Sequence, residues 1–174
     1  MNNHSRSTVR LLTYSAIFAT LIFVATAYLS IPLPVMGYVH LGDGFVLLTA
    51  ALLPTPYALA AVVIGSSLAD FITGFALYIP ATAVIKALMT LCMSSKTPKI
   101  LSARNLLGVV LAAVTCSGGY YIYDAIITKS FVVPLASLPL NLAQTLCGGV
   151  ALVILGLLID KNRGIQKIFK QHLR

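Results

Sequence analysis

The sequence predicts an all-α, polytopic membrane protein, a six-transmembrane-helix bundle with its N- and C-termini in the cytoplasm. Three observations carry that expectation. First, 59% of the 174 residues are hydrophobic and 9% are charged, with a mean hydropathy of +0.95. A soluble domain of this length needs several times more charge to cover its surface. Second, apolar runs of about 18 residues or more, the length that crosses a bilayer, recur along the chain. Third, the basic residues behind the net charge of +8 lie in short segments between those runs. They form no extended basic face, which suits membrane orientation and not nucleic-acid binding. The length suits one domain over 1–174, with 1–8 and 163–174 as cytoplasmic tails.

The spans follow in order. The first, from near Val9 to Leu29, is too long for a signal peptide and lacks a convincing cleavage site. It ends at "SIPLPVMGY", where Pro32 and Pro34 forbid a continued helix. The second, from about Gly44 to Leu53, stops at "LPTP" and is short for a crossing. The third runs from about Tyr57 to Ile72. The fourth follows "TGFALYIP", with Pro80 in its first turn, and continues to about Met93. After the polar break "SSKTPKILSARN", the fifth covers about Leu106 to Tyr121. A longer outer loop, "YDAIITKSFVVPLASLP", precedes the sixth, roughly Leu138 to Ile159. No internal repeat is visible, so an inverted-repeat transporter is not supported.

Six crossings sort the basic residues by side. Arg6 and Arg10 precede the first span, Lys96, Lys99 and Arg104 separate the fourth from the fifth, and Lys161, Arg163, Lys167, Lys170 and Arg174 follow the sixth. All three groups fall on one side, and only Lys129 lies in a loop on the other. The positive-inside rule places that side, with both termini, in the cytoplasm.

Against this orientation the rare polar residues converge. Asp43 opens the second span at its outer end, and Asp70 lies in the outer half of the third. Lys86 is six residues past Pro80 on a descending helix, about 9 Å below the outer surface. Asn141 and Gln144 stand in the first turns of the sixth span, and Tyr120, Tyr121 and Asp124 close the fifth. An ionised Lys or Asp facing lipid is unfavourable by about 2.5–3.5 kcal/mol or more, so these groups face the bundle interior or water. Ser66 with Asp70, and Thr82 with Lys86, share helical faces at i, i+4. Plainer readings stand beside the functional one. Asp70 and Lys86 could form an ion pair that fixes helix packing, and Asp43 could be a solvent-exposed N-cap. Tyr28, Tyr38 and Tyr78 could belong to an interfacial belt.

Several chemistries are unreadable in the chain. No Gly-rich phosphate loop with a following Lys-Ser/Thr occurs, no His/Glu cluster suggests a metal, and no Ser/His/Asp arrangement is legible. The cysteines Cys92, Cys116 and Cys147 lie at wide spacing in or near apolar segments and read as small buried hydrophobes. All four acids are Asp, and a chain without glutamate is a poor proton pump. Neither catalysis nor a cofactor is expected; the sequence reads as a binding half that needs an engine.

The runs "IPLPVMGYVHLGDGFVLLTAALL", "GSSLADFITGFALYIPATAVIKALM" and "NLAQTLCGGVALVILGLLID" resemble the substrate-binding S components of energy-coupling factor (ECF) vitamin transporters, in the riboflavin/hydroxymethylpyrimidine-type branch. The order and spacing of Gly42-Asp43, Asp70-x3-Gly74, Pro80-x-Thr82-x3-Lys86 and Asn141-x2-Gln144 carry the resemblance over nearly the whole chain. It implies a small water-soluble vitamin or precursor bound near the outer face, beneath the loop joining the first two helices. A hydroxymethylpyrimidine- or pyridoxine-like heterocycle is favoured, and riboflavin is possible. It also implies a transmembrane coupling subunit and two ATPase subunits as partners, in the plasma membrane of a prokaryote. The candidate substrate-binding residues are Tyr38, His40, Asp43, Asp70, Tyr78, Lys86, Tyr120, Tyr121, Asn141 and Gln144, covered by the Ser30–Leu41 loop. In the first helix, Ser15, Ala16, Ala19 and Thr20 have the small-xxx-small spacing that lets another helix approach in lipid, and they are the candidate docking face. Packing inside the same bundle is the alternative for them. A self-sufficient carrier using Asp70 and Lys86, and a small membrane enzyme or scaffold, are the competing functions.

Overall fold

The computed structural model describes residues 3–32 and 38–170. Its helices are α1 Asn3–Ala27, α2 Gly42–Leu52, α3 Thr55–Ile72, α4 Ile79–Cys92, α5 Ala103–Thr128, α6 Leu138–Lys161 and α7 Arg163–Lys170. Two short antiparallel strands, β1 Ser30–Pro32 and β2 Tyr38–His40, join α1 to α2 with Ser30 opposite His40 and Ile31 opposite Val39. Residues 33–37, which include Pro34 and the middle of the expected covering loop, lie outside the described residues, as does Arg174.

Four segments are long and apolar enough to cross a membrane: Ser7–Ala27, Thr55–Ile72, Ala103–Thr128 and Val133–Lys161. The apolar helices Gly42–Leu52 and Ala76–Cys92 are shorter. At 1.5 Å per residue α2 spans about 16 Å, roughly half the hydrocarbon thickness. Its position accounts for its sequence. It is enclosed by α1, α3, α4 and α6, and every residue from Gly42 to Leu52 except Phe45 is buried. A helix surrounded by protein has no solvent face to present, so apart from Asp43 and Thr49 its sequence is apolar all round. Around it, α1 packs on α3, α3 on α4, α4 on α5 and α5 on α6. Two glycines allow close helix crossings. A Cβ on Gly65 would stand 2.5 Å from the Ala19 carbonyl oxygen on α1, and one on Gly148 would stand 2.8 Å from the Gly44 nitrogen on α2.

Three boundaries differ from the expectation. Helix α1 begins at Asn3 and not near Val9. Helix α5 runs on through "YDAIIT", which the sequence reading gave to a loop, because that stretch holds neither Gly nor Pro. It stops at Lys129, whose φ of 54° forms a left-handed cap with its N–H bonded to the Ala125 carbonyl. Beyond α6 the expected tail forms the short helix α7, tied to the α4–α5 loop by Gln166 Nε2 donating to the Pro98 carbonyl at 3.0 Å. At the same end Asp160 accepts the Ile100 and Leu101 backbone N–H groups at 2.9 and 3.0 Å, which fixes that loop to α6. Of the cysteines expected inside, Cys116 is buried and Cys92 half-buried, but Cys147 is exposed on the outer side of α6.

Candidate substrate-binding site

The polar side chains gather at the end of the bundle that carries the strand pair, in two layers. In the inner layer, Lys86 of α4 pairs with Asp43 of α2, and both are fully buried. The second Asp43 oxygen accepts from Thr145 Oγ1 at 2.8 Å and Gln144 Nε2 at 3.0 Å, both on α6. Gln144 in turn accepts the backbone N–H of His40 at 3.0 Å, so one amide links the strand pair to the ion pair. Gly42 N donates to His40 Nδ1 at 3.1 Å, which leaves that nitrogen without a proton. The charges are thus compensated, and each carboxylate oxygen has a donor. A buried pair tolerates burial only on those terms.

The outer layer begins one turn nearer the strand pair, since Thr82 precedes Lys86 by four residues and Tyr120 follows Cys116 by four. It lines a narrow cavity of about 40 Å³, room for a few water molecules. Tyr38 from β2 lines it and donates to Asp70 Oδ1 at 2.6 Å. Tyr78 and Ser137 donate to the two oxygens of Asp124 at 2.9 and 3.3 Å. Thr82 Oγ1 and the Tyr120 hydroxyl lie 3.0 Å apart. Asn141 and Gln144 of α6 complete the polar wall. The aromatic rings form a chain around it, Tyr38 to Phe75 at 4.9 Å, Phe75 to Tyr78 at 6.1 Å and Tyr78 to Tyr120 at 6.5 Å between centroids. Aromatic faces with hydrogen-bonding edges suit a flat polar molecule. Anything larger than a few waters needs the lining side chains to shift.

A profile of the family described as "ECF-type riboflavin transporter, S component" matches residues 6–161. The chain belongs to that family. No curated protein matches it. Members are membrane-integral, substrate-binding subunits of vitamin-uptake transporters and not enzymes, which agrees with the apolar helices.

In this S component six of the ten candidate residues, Tyr38, Asp70, Tyr78, Tyr120, Asn141 and Gln144, line one cavity. The other four do not. Asp43 is no outer lip and no N-cap: Leu41 occupies the cap position of α2, and Asp43 lies beneath the cavity at 0% exposure. Lys86 pairs with Asp43 and not with Asp70, which corrects the alternative ion pair. Its ammonium stands 5.7 Å from the Tyr120 ring centroid, below the cavity floor. His40 is buried beside Gln144, and Tyr121 points away, donating to the Phe131 carbonyl at 3.0 Å. The reading by depth put all polar groups at one level because helix rise alone cannot separate a cavity wall from the layer one turn below it. Phe75, Thr82, Asp124, Ser137 and Thr145 join the two layers without having been named as site residues. The Thr82–Lys86 spacing and an acid at the outer end of the fifth span were the available signals, and Thr145 gave none.

Away from the cavity, α1 and α3 enclose an apolar groove of about 420 Å³. Ala16 and Thr20 are exposed along it and Ala19 half-exposed, with Ala60, Ile64 and Leu68 opposite. Ser15 turns inward, its hydroxyl within 3.3 Å of the Tyr57 carbonyl and 2.9 Å of the Leu11 carbonyl. The open face therefore has the Ala16-xxx-Thr20 register.

One pH effect follows from the strand pair. Burial, opposed in part by Asp43 and aided by Lys86, pushes the His40 imidazole down to about 4. The folded state thus favours neutral His40. Its contribution to stability is complete above pH about 6.5, where the unfolded imidazole is also neutral. As pH falls from there toward about 4, the unfolded chain takes up a proton that the folded one does not. Stability should decline over that window, by about tenfold in the unfolding equilibrium per pH unit at most for one group. His40→Asn keeps an acceptor for Gly42 N–H and removes the titration, so denaturant unfolding in micelles should lose that slope. An unchanged slope would assign it to other groups.

Proposed function

We propose that the chain captures a small water-soluble vitamin or precursor from outside the cell and delivers it inward as part of an ECF-type ABC transporter. The observation that carries this reading is the cavity itself: lined by polar groups and by the aromatic side chains of Tyr38, Phe75, Tyr78 and Tyr120, in a member of the S-component family. A hydroxymethylpyrimidine- or pyridoxine-like heterocycle demands less widening of so narrow a space than the three fused rings of a flavin. Six crossings, with α2 and α4 completing a bundle whose termini face the cytoplasm, agree with the basic residues Lys96, Lys99, Arg104 and Lys161 at the end opposite the strand pair. One domain in the plasma membrane of a prokaryote, with a transmembrane coupling subunit and two ATPase subunits as partners, completes the proposal. The groove between α1 and α3 is the docking face for the coupling subunit.

Native mass spectrometry of the chain purified in mild detergent tests the first part, with a co-purified heterocycle as the expected result. Uptake tests the second. The sequence carries no phosphate-binding loop, so the chain alone in liposomes should bind ligand but show no ATP-dependent accumulation. Accumulation by the lone chain, or a proton-driven current, would support a self-sufficient carrier.

A further inference from the structure

The charge lining the cavity is one-sided. Two carboxylates, Asp70 and Asp124, contribute to its wall, and among the described residues no cationic side chain does. Lys86, the nearest cation, is committed to Asp43 in the layer beneath. The two carboxylates differ in a way that has consequences. Asp124 is satisfied on both oxygens, by Tyr78 and Ser137. Asp70 is satisfied on one. Tyr38 donates to Oδ1, while Oδ2 is buried with no partner among the described residues, in a side chain only 4% exposed. The Thr82 hydroxyl lies toward the same carboxyl group and 3.0 Å from the Tyr120 hydroxyl, but makes no hydrogen bond to Oδ2. A buried carboxylate oxygen without a donor is unfavourable, and in a cavity wall it is met by whatever fills the cavity.

Resting on the reading of this cavity as the substrate site, we infer that Asp70 selects the ligand's sign and edge: the substrate is a flat heterocycle that presents an amino group, beside an acceptor ring nitrogen, to Asp70 and carries no negative charge. An amino group beside a ring nitrogen complements a carboxyl group in either proton state, because the pair can exchange donor and acceptor. The rings of Tyr38, Tyr78 and Tyr120 favour a cationic or electron-poor partner for the same reason that cations prefer aromatic faces. Phosphorylated or carboxylated relatives of the substrate meet two carboxylates and no free cation, so they are excluded. A ligand that displaces the Tyr38 hydroxyl also takes away the one donor Asp70 now has, which strengthens the demand for a new one.

The test is a matched set of four probes: a 4-amino-5-(hydroxymethyl)pyrimidine, its 4-oxo analogue, the corresponding pyrimidine-5-carboxylate, and riboflavin. Affinities are measured by calorimetry in micelles for the native protein, Asp70→Asn and the cavity-filling Thr82→Phe, with thermal unfolding run on each. The expected result is that the amino compound binds at least about tenfold more tightly than the other three. Asp70→Asn should erase that preference while the protein still folds. Tighter binding of the oxo compound, the carboxylate or riboflavin, an amino preference that survives in a folded Asp70→Asn, or no binding by any of the four overturns the inference. Thr82→Phe separates that failure from failure of the site. If a non-amino probe binds and Thr82→Phe abolishes it, the cavity stands and the role of Asp70 falls. If binding persists in a folded Thr82→Phe, the site itself lies elsewhere.

Discussion

Replacing Lys86 with methionine should destabilise the protein by about 3–5 kcal/mol, more than any other single change in the polar layers. The ammonium group is 1% exposed and paired with an Asp43 carboxylate that is 0% exposed. Removing it leaves a charge in the bundle interior with Gln144, Thr145 and the weakly donating Cys116 thiol as its neutral donors. Methionine keeps the length of the side chain, so lost packing contributes little and the unpaired carboxylate dominates. The double variant Lys86→Met with Asp43→Asn tests that cause. An asparagine oxygen still accepts from Thr145, and no charge remains, so most of the loss should be recovered. Denaturant unfolding in micelles reads both variants. A single variant as stable as the native protein would mean that the pair is not a buried ion pair in solution, and failure of the double variant to recover would place the effect in packing. Asp43→Asn alone should destabilise too, by leaving Lys86 unpaired. A solvent-exposed cap at the same position would be indifferent to that change, because Asn caps as well as Asp.

That contrast shows where the sequence stopped being informative. The helical bundle was legible from composition and from apolar runs, and the boundaries of α3, α4 and α6 fell within a few residues of the expected ones because Pro54, Pro56, Pro80 and Pro139 mark their starts. The end of α5 was not, since "YDAIIT" contains polar residues that suggest a loop yet nothing that breaks a helix. Within the site, cost alone established that Asp43, Asp70, Lys86 and Gln144 point inward. It could not say who pairs with whom, because Asp43 and Asp70 are both near Lys86 in depth and only lateral helix placement decides between them. The buried, central position of α2 decides it here. From there Asp43 reaches both α4 and α6, while Asp70 on α3 turns toward Tyr38 of the strand pair. The tertiary placement of one short helix thus converts four similar polar residues into a structural pair and a cavity wall.

The face of α1 opposite the bundle leads to the second large effect. Ala16→Leu should reduce transport by the assembled complex about tenfold or more, equivalent to about 1.4 kcal/mol of association, and leave ligand affinity unchanged. The groove between α1 and α3 is apolar and rests on small side chains, with Ala16 exposed, Ala19 half-exposed and Gly65 holding the two helices close. Helices associate in lipid mainly through van der Waals contact, and lipid tails solvate a leucine as well as protein does. Added volume therefore separates a docked helix without the offsetting gain that burial from water would give. Among the described residues none lining the candidate cavity comes from α1, so affinity has no direct route to change. Ser15→Leu should behave differently. Its hydroxyl faces Tyr57 inside the protein, and a leucine there would disturb the α1–α3 contact and lower stability in the isolated chain. Co-purification of the coupling subunit, ligand affinity and thermal unfolding, measured together for both variants, distinguish an outer docking face from an inner packing face. Full recovery of the coupling subunit and full uptake with Ala16→Leu would show that the groove is covered by lipid alone.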